Sequence, residues 1–526
     1  MKQLISKFNR RNSFSGAATL IGFFYLASRF LGLVRDRLLA SHFGIGAMPD
    51  AYAAAFRIPD LIFTLMVSGA FAVAFIPIFT EFWVKKEREQ AWHLTNSLLN
   101  ILAVATIVIC ALIFIFVGPI SSAIAPGFDP YRHQVLVNLT RIMLWTPVFF
   151  AISSVMGSVQ QSFNRFLFFA ISGIFYNLGI IFGIIFLSER FSIYGVAIGV
   201  VIGAASQALI QILGMFGLGY RYHWRFRLRD LGVVRVIRLM IPRALDQGID
   251  QINYTVQTII GSQLATGSLT AFYYANNLRN VPLVIFGTSI ATAAFPDLAA
   301  RAARNDIKGL VDKLDENTRL ILFFVVPAAA VAILLRGYIV RLLFGFGNQT
   351  TANTLGWFAA TIIFQSLFFL VARFYYALQD TKTPLYLSIF TIGLNIVLSL
   401  ILSPHYGVVG LAMAQSIVSA LETTVLYLLL MRKLPTIGLG RIMNGALKIG
   451  VASLIMGSLI YLSLNYLLPL NVGDRGLFVV APKFLALLAI GTVGYLLPCY
   501  LMRLEEAHAF TSRFFNYLRP TNQIVN

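Results

Sequence analysis

Long apolar runs separated by short polar connectors organise this chain. A helix that crosses a bilayer needs about 20 mostly apolar residues. Fourteen stretches qualify: 14–40, 50–83, 93–118, 135–160, 166–188, 192–218, 234–265, 270–300, 317–336, 353–379, 384–402, 406–432, 443–469 and 478–503. The pattern predicts an all-α polytopic membrane protein of about fourteen transmembrane helices, and the lipid bilayer is its first expected partner.

Composition agrees. Of 526 residues, 58% are hydrophobic, 45 are Phe, and only 12% are charged. A soluble domain is typically about 25% charged. The formal net charge of +20 would suggest nucleic acid in a soluble protein. In a polytopic protein it reads instead as basic cytoplasmic loops, so no nucleic-acid partner is expected. Basic residues cluster at the N-terminus (Lys2, Lys7, Arg10, Arg11) and in alternate connectors: Lys85, Lys86 and Arg88; Arg165; Arg221 to Arg238; Arg301, Arg304 and Lys308; Lys382; Arg432 and Lys433. The other connectors hold little beyond Arg132, Arg190, Arg336, Arg341 and Arg475. Both termini are therefore expected in the cytoplasm. The first run contains arginines and no small-residue cleavage site follows it, so it reads as a retained helix rather than a signal peptide. Cys110 and Cys499 lie in apolar runs and exclude a disulfide framework.

The chain repeats itself. Asp50-Ala-Tyr…Arg57-Ile-Pro59 resembles Thr270-Ala-Phe…Arg279-Asn-Val-Pro282. Gln161…Asn177…Tyr194-Gly resembles Gln379…Asn395…Tyr406-Gly. Two six-helix lobes with parallel topology are expected, with a substrate cavity between them. The boundaries are 1–220 for the N-lobe, 221–238 for a basic linker, 239–433 for the C-lobe, and 434–526 for a helix pair and tail outside the repeat. The linker alternates Arg with Trp224, Phe226 and Leu228, as an amphipathic interfacial helix or an ordinary basic loop would.

The first run carries Ser28-Arg29-Phe-Leu-Gly32-Leu-Val-Arg35-Asp36. Ionisable side chains at membrane depth cost ~2.5–3.5 kcal/mol each on insertion scales, so they mark function by default. Arg29 and Asp36 are seven apart and share a face. Arg35 lies about a third of a turn away. Asp36 could neutralise one arginine and leave the other for a ligand, and arginine's planar fork suits phosphate. A salt-bridge network between helices is the structural alternative. Asp50, Arg57 and Asp60 open the second run. Asn276, Asn277, Arg279 and Asn280 make a polar turn in the eighth. Together they suggest a cationic site for an anionic substrate. Asp246 and Asp250, one turn apart, suggest a cation site, with Na+ or H+ as coupling ion and Arg243 as a competing partner. Arg373, Asp380 and Asn395 are weaker candidates; Asn177 and Asn395 read as residues that cap or bridge helices. There is no P-loop and no HExxH pattern, so no enzyme is expected.

These residues resemble the MurJ (MviN) family of the MOP exporter superfamily. The resemblance rests on Ser28 to Asp36, Phe43-Gly, Asp50-Ala, Phe56-Arg-Ile-Pro59, Gly69-Ala-Phe, Ala74-Phe-Ile-Pro77, Ala125-Pro-Gly-Phe128, Thr140-Arg-Ile142, Tyr273-Tyr-Ala275, Arg341-Leu-Leu-Phe-Gly345 and Asp380-Thr-Lys-Thr-Pro384. It implies a flippase that moves lipid II, the undecaprenyl-diphosphate-linked peptidoglycan precursor, from the cytoplasmic to the periplasmic leaflet by alternating access. It further implies that Arg29 and Arg35 bind the diphosphate, with Ser28, Asp36 and Asp50 as polar neighbours. In this chain the stretch after Pro59 lacks an arginine, and Asn277 stands where a basic residue is usual, with Arg279 two residues on. Asp250 matches the family's cation site. A flippase for another polyprenyl-linked glycan, or a cation-coupled antiporter, is the alternative.

Overall fold

The computed structural model describes residues 14–66, 70–345, 347–434, 439–471, 473–474 and 476–508. The basic N-terminal stretch, Gly69, the side chains of Arg243 and Asp246, Arg475 and the C-terminal tail lie outside the described residues. Two compact units divide the chain between Thr270 and Ala271.

The first unit contains α1 (Phe14–Phe43), α2 (Ala47–Ala55), α3 (Arg57–Met66), α4 (Ala70–Val84), α5 (Arg88–Ile115), α6 (Val117–Ile124), α7 (Pro130–Met143), α8 (Thr146–Ser162), α9 (Leu167–Phe182), α10 (Ser188–Phe191), α11 (Ile193–Leu213) and α12 (Leu231–Ser262). The predicted second span is thus interrupted. Pro59 has no N–H to offer the carbonyl one turn before it, and the helix breaks at Phe56. Loop carboxylates stop and start the spans. Asp129 accepts the Arg132 N–H at 2.9 Å, with Pro130 at the first helical position. Asp230 accepts the Gly232 N–H at 2.8 Å. Each satisfies a donor that the helix start leaves open. The core includes Phe71, Phe75, Phe79, Trp83, Trp92 and Phe163, whose rings stack or meet edge-on. α12 packs on α3 and α4 in this unit, whereas the sequence repeat groups it with the second lobe.

α9 and α11 approach each other closely through glycines. A Cβ on Gly179 would lie 2.3 Å from the Gly203 Cα, and one on Gly199 would lie 2.7 Å from the Gly183 Cα. Lipid offers no hydrophobic drive for helix pairing, so glycines that let backbones touch supply it through packing.

The second unit continues the helix α13 (Ser268–Pro282), then α14 (Ser289–Ala303), α15 (Ile307–Leu334), α16 (Arg336–Phe344), α17 (Gln349–Ala377), α18 (Lys382–Tyr406), α19 (Val408–Lys433), α20 (Leu439–Leu462) and α21 (Leu477–Leu501). α20 and α21 pack on each other and on α15 and α16. Tyr495 donates to the Phe323 carbonyl and Tyr338 to that of Leu468, both at 2.6 Å. Arg319 meets Asp315, Glu505 and Glu506 where the chain leaves α21. Asp380 accepts from the Lys382 and Thr383 N–H groups and is tied to Lys433. Burial would raise its carboxyl, but the bonds from Lys433 and Thr383 outweigh that and hold it well below the usual carboxylate range.

Twelve helical stretches among the described residues are long and apolar enough to cross a membrane. The two predicted spans outside that set are α1, which carries Arg29, Arg35 and Asp36, and α12, which carries Asp246 and Asp250. π-helical turns at Gly183–Leu187, Leu283–Thr288 and Ser463–Leu467 fall inside three predicted spans.

The repeat is visible in the backbone, in a register that differs from the sequence match. Asn164 and Gln379 both have positive φ after a helix end, and Ser192 and Gly407 share the same positive-φ conformation before α11 and α19. A Cβ on Gly195 would meet the Leu187 carbonyl, and one on Gly410 the Leu402 carbonyl. Gly195 therefore corresponds to Gly410, and the Tyr194–Tyr406 match slips by nearly one turn. Asn395 lies about one turn beyond the equivalent of Asn177.

We expect Gly179→Leu to destabilise the protein by at least ~1–3 kcal/mol. Gly393→Leu, where nothing lies within 4 Å, should be tolerated. Melting temperatures in detergent compare the two; equal values would refute the close-packing role.

Candidate anion-binding site

Two helices build the polar core of the first unit. Asn177 on α9 reaches across to α1. Its Nδ2 donates to the Ser28 carbonyl at 3.2 Å and to Ser28 Oγ at 3.1 Å, and its Oδ1 accepts from Arg35 Nη1 at 3.2 Å. Ser28 Oγ donates to the Gly173 carbonyl at 3.1 Å. The fit is close there: a Cβ on Gly173 would sit 3.3 Å from Ser28 Oγ. Asn177 thus bridges helices, as its sequence position suggested, and it also orients Arg35.

Asp36 pairs with Arg35, its neighbour in sequence, and not with Arg29 on the shared face. Arg35 Nε and Nη2 both donate to Asp36 Oδ1, at 3.0 and 2.8 Å. The Asp36 side chain is 4% exposed and that of Arg35 17%. Arg29 is exposed; it bonds the Tyr25 hydroxyl at 3.1 Å and lies over that ring. Arg57 on α3 stacks on Tyr254 of α12, 5.8 Å from the ring centroid, and its buried Nε has no hydrogen-bond partner. Both guanidiniums lean on tyrosine faces, which hold a cation without neutralising it, and Arg57 also lies within electrostatic reach of the Asp60 carboxylate. An anion can displace such contacts at little cost, whereas Arg35 must keep or exchange a carboxylate.

Asp50 does not join this group. It is buried, and its carboxylate accepts from the Gly267 N–H at 2.6 Å, the Thr270 N–H at 2.8 Å and the Thr270 hydroxyl at 2.6 Å. It serves as a cap for the turn at 267–270, drawn from a distant part of the unit.

In the second unit, Arg279 is 3% exposed and stacks on Phe358 at 4.7 Å, while Asn277 is half-buried on another side of the helix. The 200° rotation between positions two apart explains the split. Arg373 donates to the Thr292 hydroxyl. Asp250 on α12 is exposed. Among the described residues no group of three or more His, Cys, Asp or Glu is placed to hold a metal ion.

Sequence reasoning missed Glu422. Its carboxylate, inside the apolar α19, accepts from Ser388 Oγ at 2.9 Å and Thr391 Oγ1 at 3.0 Å of α18. A lone glutamate in an apolar run was the available signal. It missed Tyr25 and Tyr254 because their role depends on which arginine they face.

The fold is shared with solved transporters of the MOP superfamily. A multidrug resistance MATE family transporter of that superfamily, solved in an inward-facing conformation, superposes with a TM-score of 0.64 at 14% identity, covering 78% of this chain and 95% of that one. A lipid II flippase MurJ in an inward closed conformation superposes with a TM-score of 0.77 at 24% identity, covering 92% and 98%. The family profile described as "Lipid II flippase MurJ" matches residues 39–475. Probable lipid II flippases MurJ from Buchnera aphidicola (subspecies Acyrthosiphon pisum) and Haemophilus influenzae are 32% and 31% identical, over 78% and 76% of this chain and 81% and 83% of theirs. The chain belongs to the MurJ lipid II flippase family. The profile match begins downstream of Arg29 and Arg35.

Asp36→Asn would leave the Arg35 guanidinium without its carboxylate. We expect a loss of up to ~3 kcal/mol, largely recovered in Arg35→Gln/Asp36→Asn. Thermal unfolding of both variants tests this; a silent single variant would show that the pair does not support the helix.

Proposed function

We infer that the protein is a lipid II flippase of the bacterial inner membrane, with both termini in the cytoplasm. It carries the undecaprenyl-diphosphate-linked precursor from the cytoplasmic to the periplasmic leaflet by alternating access, exposing its arginines to one leaflet and then the other. Family membership over 39–475 supports the activity. The observation that carries the mechanism is Arg29 on a membrane helix, held by a tyrosine rather than a carboxylate.

In this reading Arg29 takes the diphosphate first, because only a weak aromatic contact must be given up. Arg35, positioned by Asn177, adds its fork when phosphate oxygens replace Asp36. Arg57 supplies a further cation. Movement of the substrate breaks no covalent bond, so the residues need only bind, orient and release.

Complementation of cells depleted of their own flippase tests the proposal. The intact protein should restore growth and lipid II exposure on the outer leaflet. Arg29→Ala and Arg35→Ala should each fail at normal expression. Rescue by the double variant would overturn the assigned roles, and failure of the well-expressed intact protein would point to another polyprenyl-linked cargo.

We also propose that a monovalent cation, Na+ or H+, drives the cycle, with Asp250 as the carboxylate that meets it. Asp250→Asn should retain lipid II binding but lose the dependence of transport on Na+ or pH. Wild-type transport that is indifferent to both ions would refute this.

A further inference from the structure

The first half of the basic linker is not a helix. Residues 221–227 have no regular secondary structure, and α12 starts only at Leu231. Its sequence, Tyr220-Arg-Tyr-His-Trp-Arg-Phe-Arg-Leu-Arg229, alternates basic with apolar or aromatic side chains at every second position. That is the period of an extended strand, not of a helix.

Two asparagines one turn apart on α5 fasten it. Asn96 donates to the Arg221 carbonyl at 3.1 Å and accepts from the Tyr220 hydroxyl at 2.7 Å. Asn100 donates to the Arg225 carbonyl at 2.8 Å and accepts from the Tyr222 hydroxyl at 2.9 Å. Both asparagines are buried. Arg225 Nη1 and Glu89 Oε1 both lie within hydrogen-bond distance of His93 Nε2, which serves one of them at a time. The strap is therefore held through its backbone and tyrosines, while its other side chains are presented outward. Trp224 is 70% exposed, and Phe226, Leu228 and the adjoining Leu231 are exposed as well. Arg221, Arg227 and Arg229 are exposed beside them. The stretch holds no acidic residue. It joins the end of one membrane span, α11, to the start of α12, so it runs at the level of the membrane surface.

Water is a poor environment for that Trp and Phe, and a soluble acidic protein would answer the arginines but not the aromatic side chains between them. An anionic phospholipid surface answers both. Aromatic side chains settle at headgroup level, and juxtamembrane arginines are drawn to lipid phosphates. We propose that residues 220–229 form a docking strap for anionic phospholipid headgroups, with Trp224 and Phe226 entering the interface and Arg221, Arg227 and Arg229 pairing with the phosphates. The strap then anchors the start of α12, the helix that carries Asp250 and Tyr254, to the lipid surface.

The test uses the full chain in nanodiscs and reads Trp224 as the part of the fluorescence lost in Trp224→Phe. Lipids brominated near the headgroup quench only a Trp at the interface. One set carries the bromine on phosphatidylglycerol, the other on phosphatidylcholine, at the same fraction in the same mixture. We expect the phosphatidylglycerol set to quench Trp224 more strongly. Arg221→Gln/Arg227→Gln/Arg229→Gln should abolish that excess, and Asn100→Leu, which keeps every arginine, should diminish it by releasing the strap. Quenching of Trp224 by neither lipid would place the strap in water or against protein and overturn the proposal. Equal quenching by both would remove the headgroup selectivity and overturn it too. Loss of the excess on adding inorganic phosphate at constant ionic strength would make the ligand a phosphate ion rather than a lipid.

Discussion

A guanidinium in a membrane helix cannot be left to lipid, and the polar architecture of this protein follows from how each one is answered. Arg35 is met by Asp36 and Asn177. Arg29 and Arg57 are met by tyrosine faces. Arg279 lies buried against Phe358. The cost of a charge at membrane depth is high enough that no arrangement leaves it without company. The kind of company separates roles. A carboxylate cancels the charge and locks the side chain; an aromatic ring steadies it and leaves it able to bind an anion.

Asn177 shows how such a site is coupled to the fold. One amide spans from α9 to the Ser28 backbone and to Arg35, so the arginine is aimed by the same contact that holds the two helices together. The glycine contact of α9 with α11 fixes the other side of that helix. Arg35 is thus supported by backbone packing two helices away, and a change in that packing is a change in the site. The α20–α21 pair is secured differently, by Tyr495, Tyr338 and the Arg319 carboxylate cluster.

Twelve of the fourteen predicted spans are long and apolar enough in the described residues, and they and the first-helix arginines were legible in the chain itself, because an apolar run of membrane length has few other uses and charge within it stands out. The break at Phe56 was foreshadowed by Pro59. The register of the repeat was not, because matching tyrosine–glycine pairs lie one turn from the true equivalents; backbone conformation at Ser192 and Gly407 decides it. The basic linker was left open between an interfacial helix and an ordinary loop; residues 221–227 are the loop, and the helix begins at Leu231.

Sequence alone thus determined the membrane class, the helix content, the internal duplication and the family, all of which depend on local composition and order. Tertiary structure decided what each polar side chain does. Asp50 caps a turn more than two hundred residues away in sequence, Asp36 turns to Arg35, Asn96 and Asn100 hold the strap, and Glu422 finds two hydroxyls on the neighbouring helix. Those outcomes depend on which helices are neighbours, and hydrogen bonds of about 3 Å are satisfied only by groups that packing brings together.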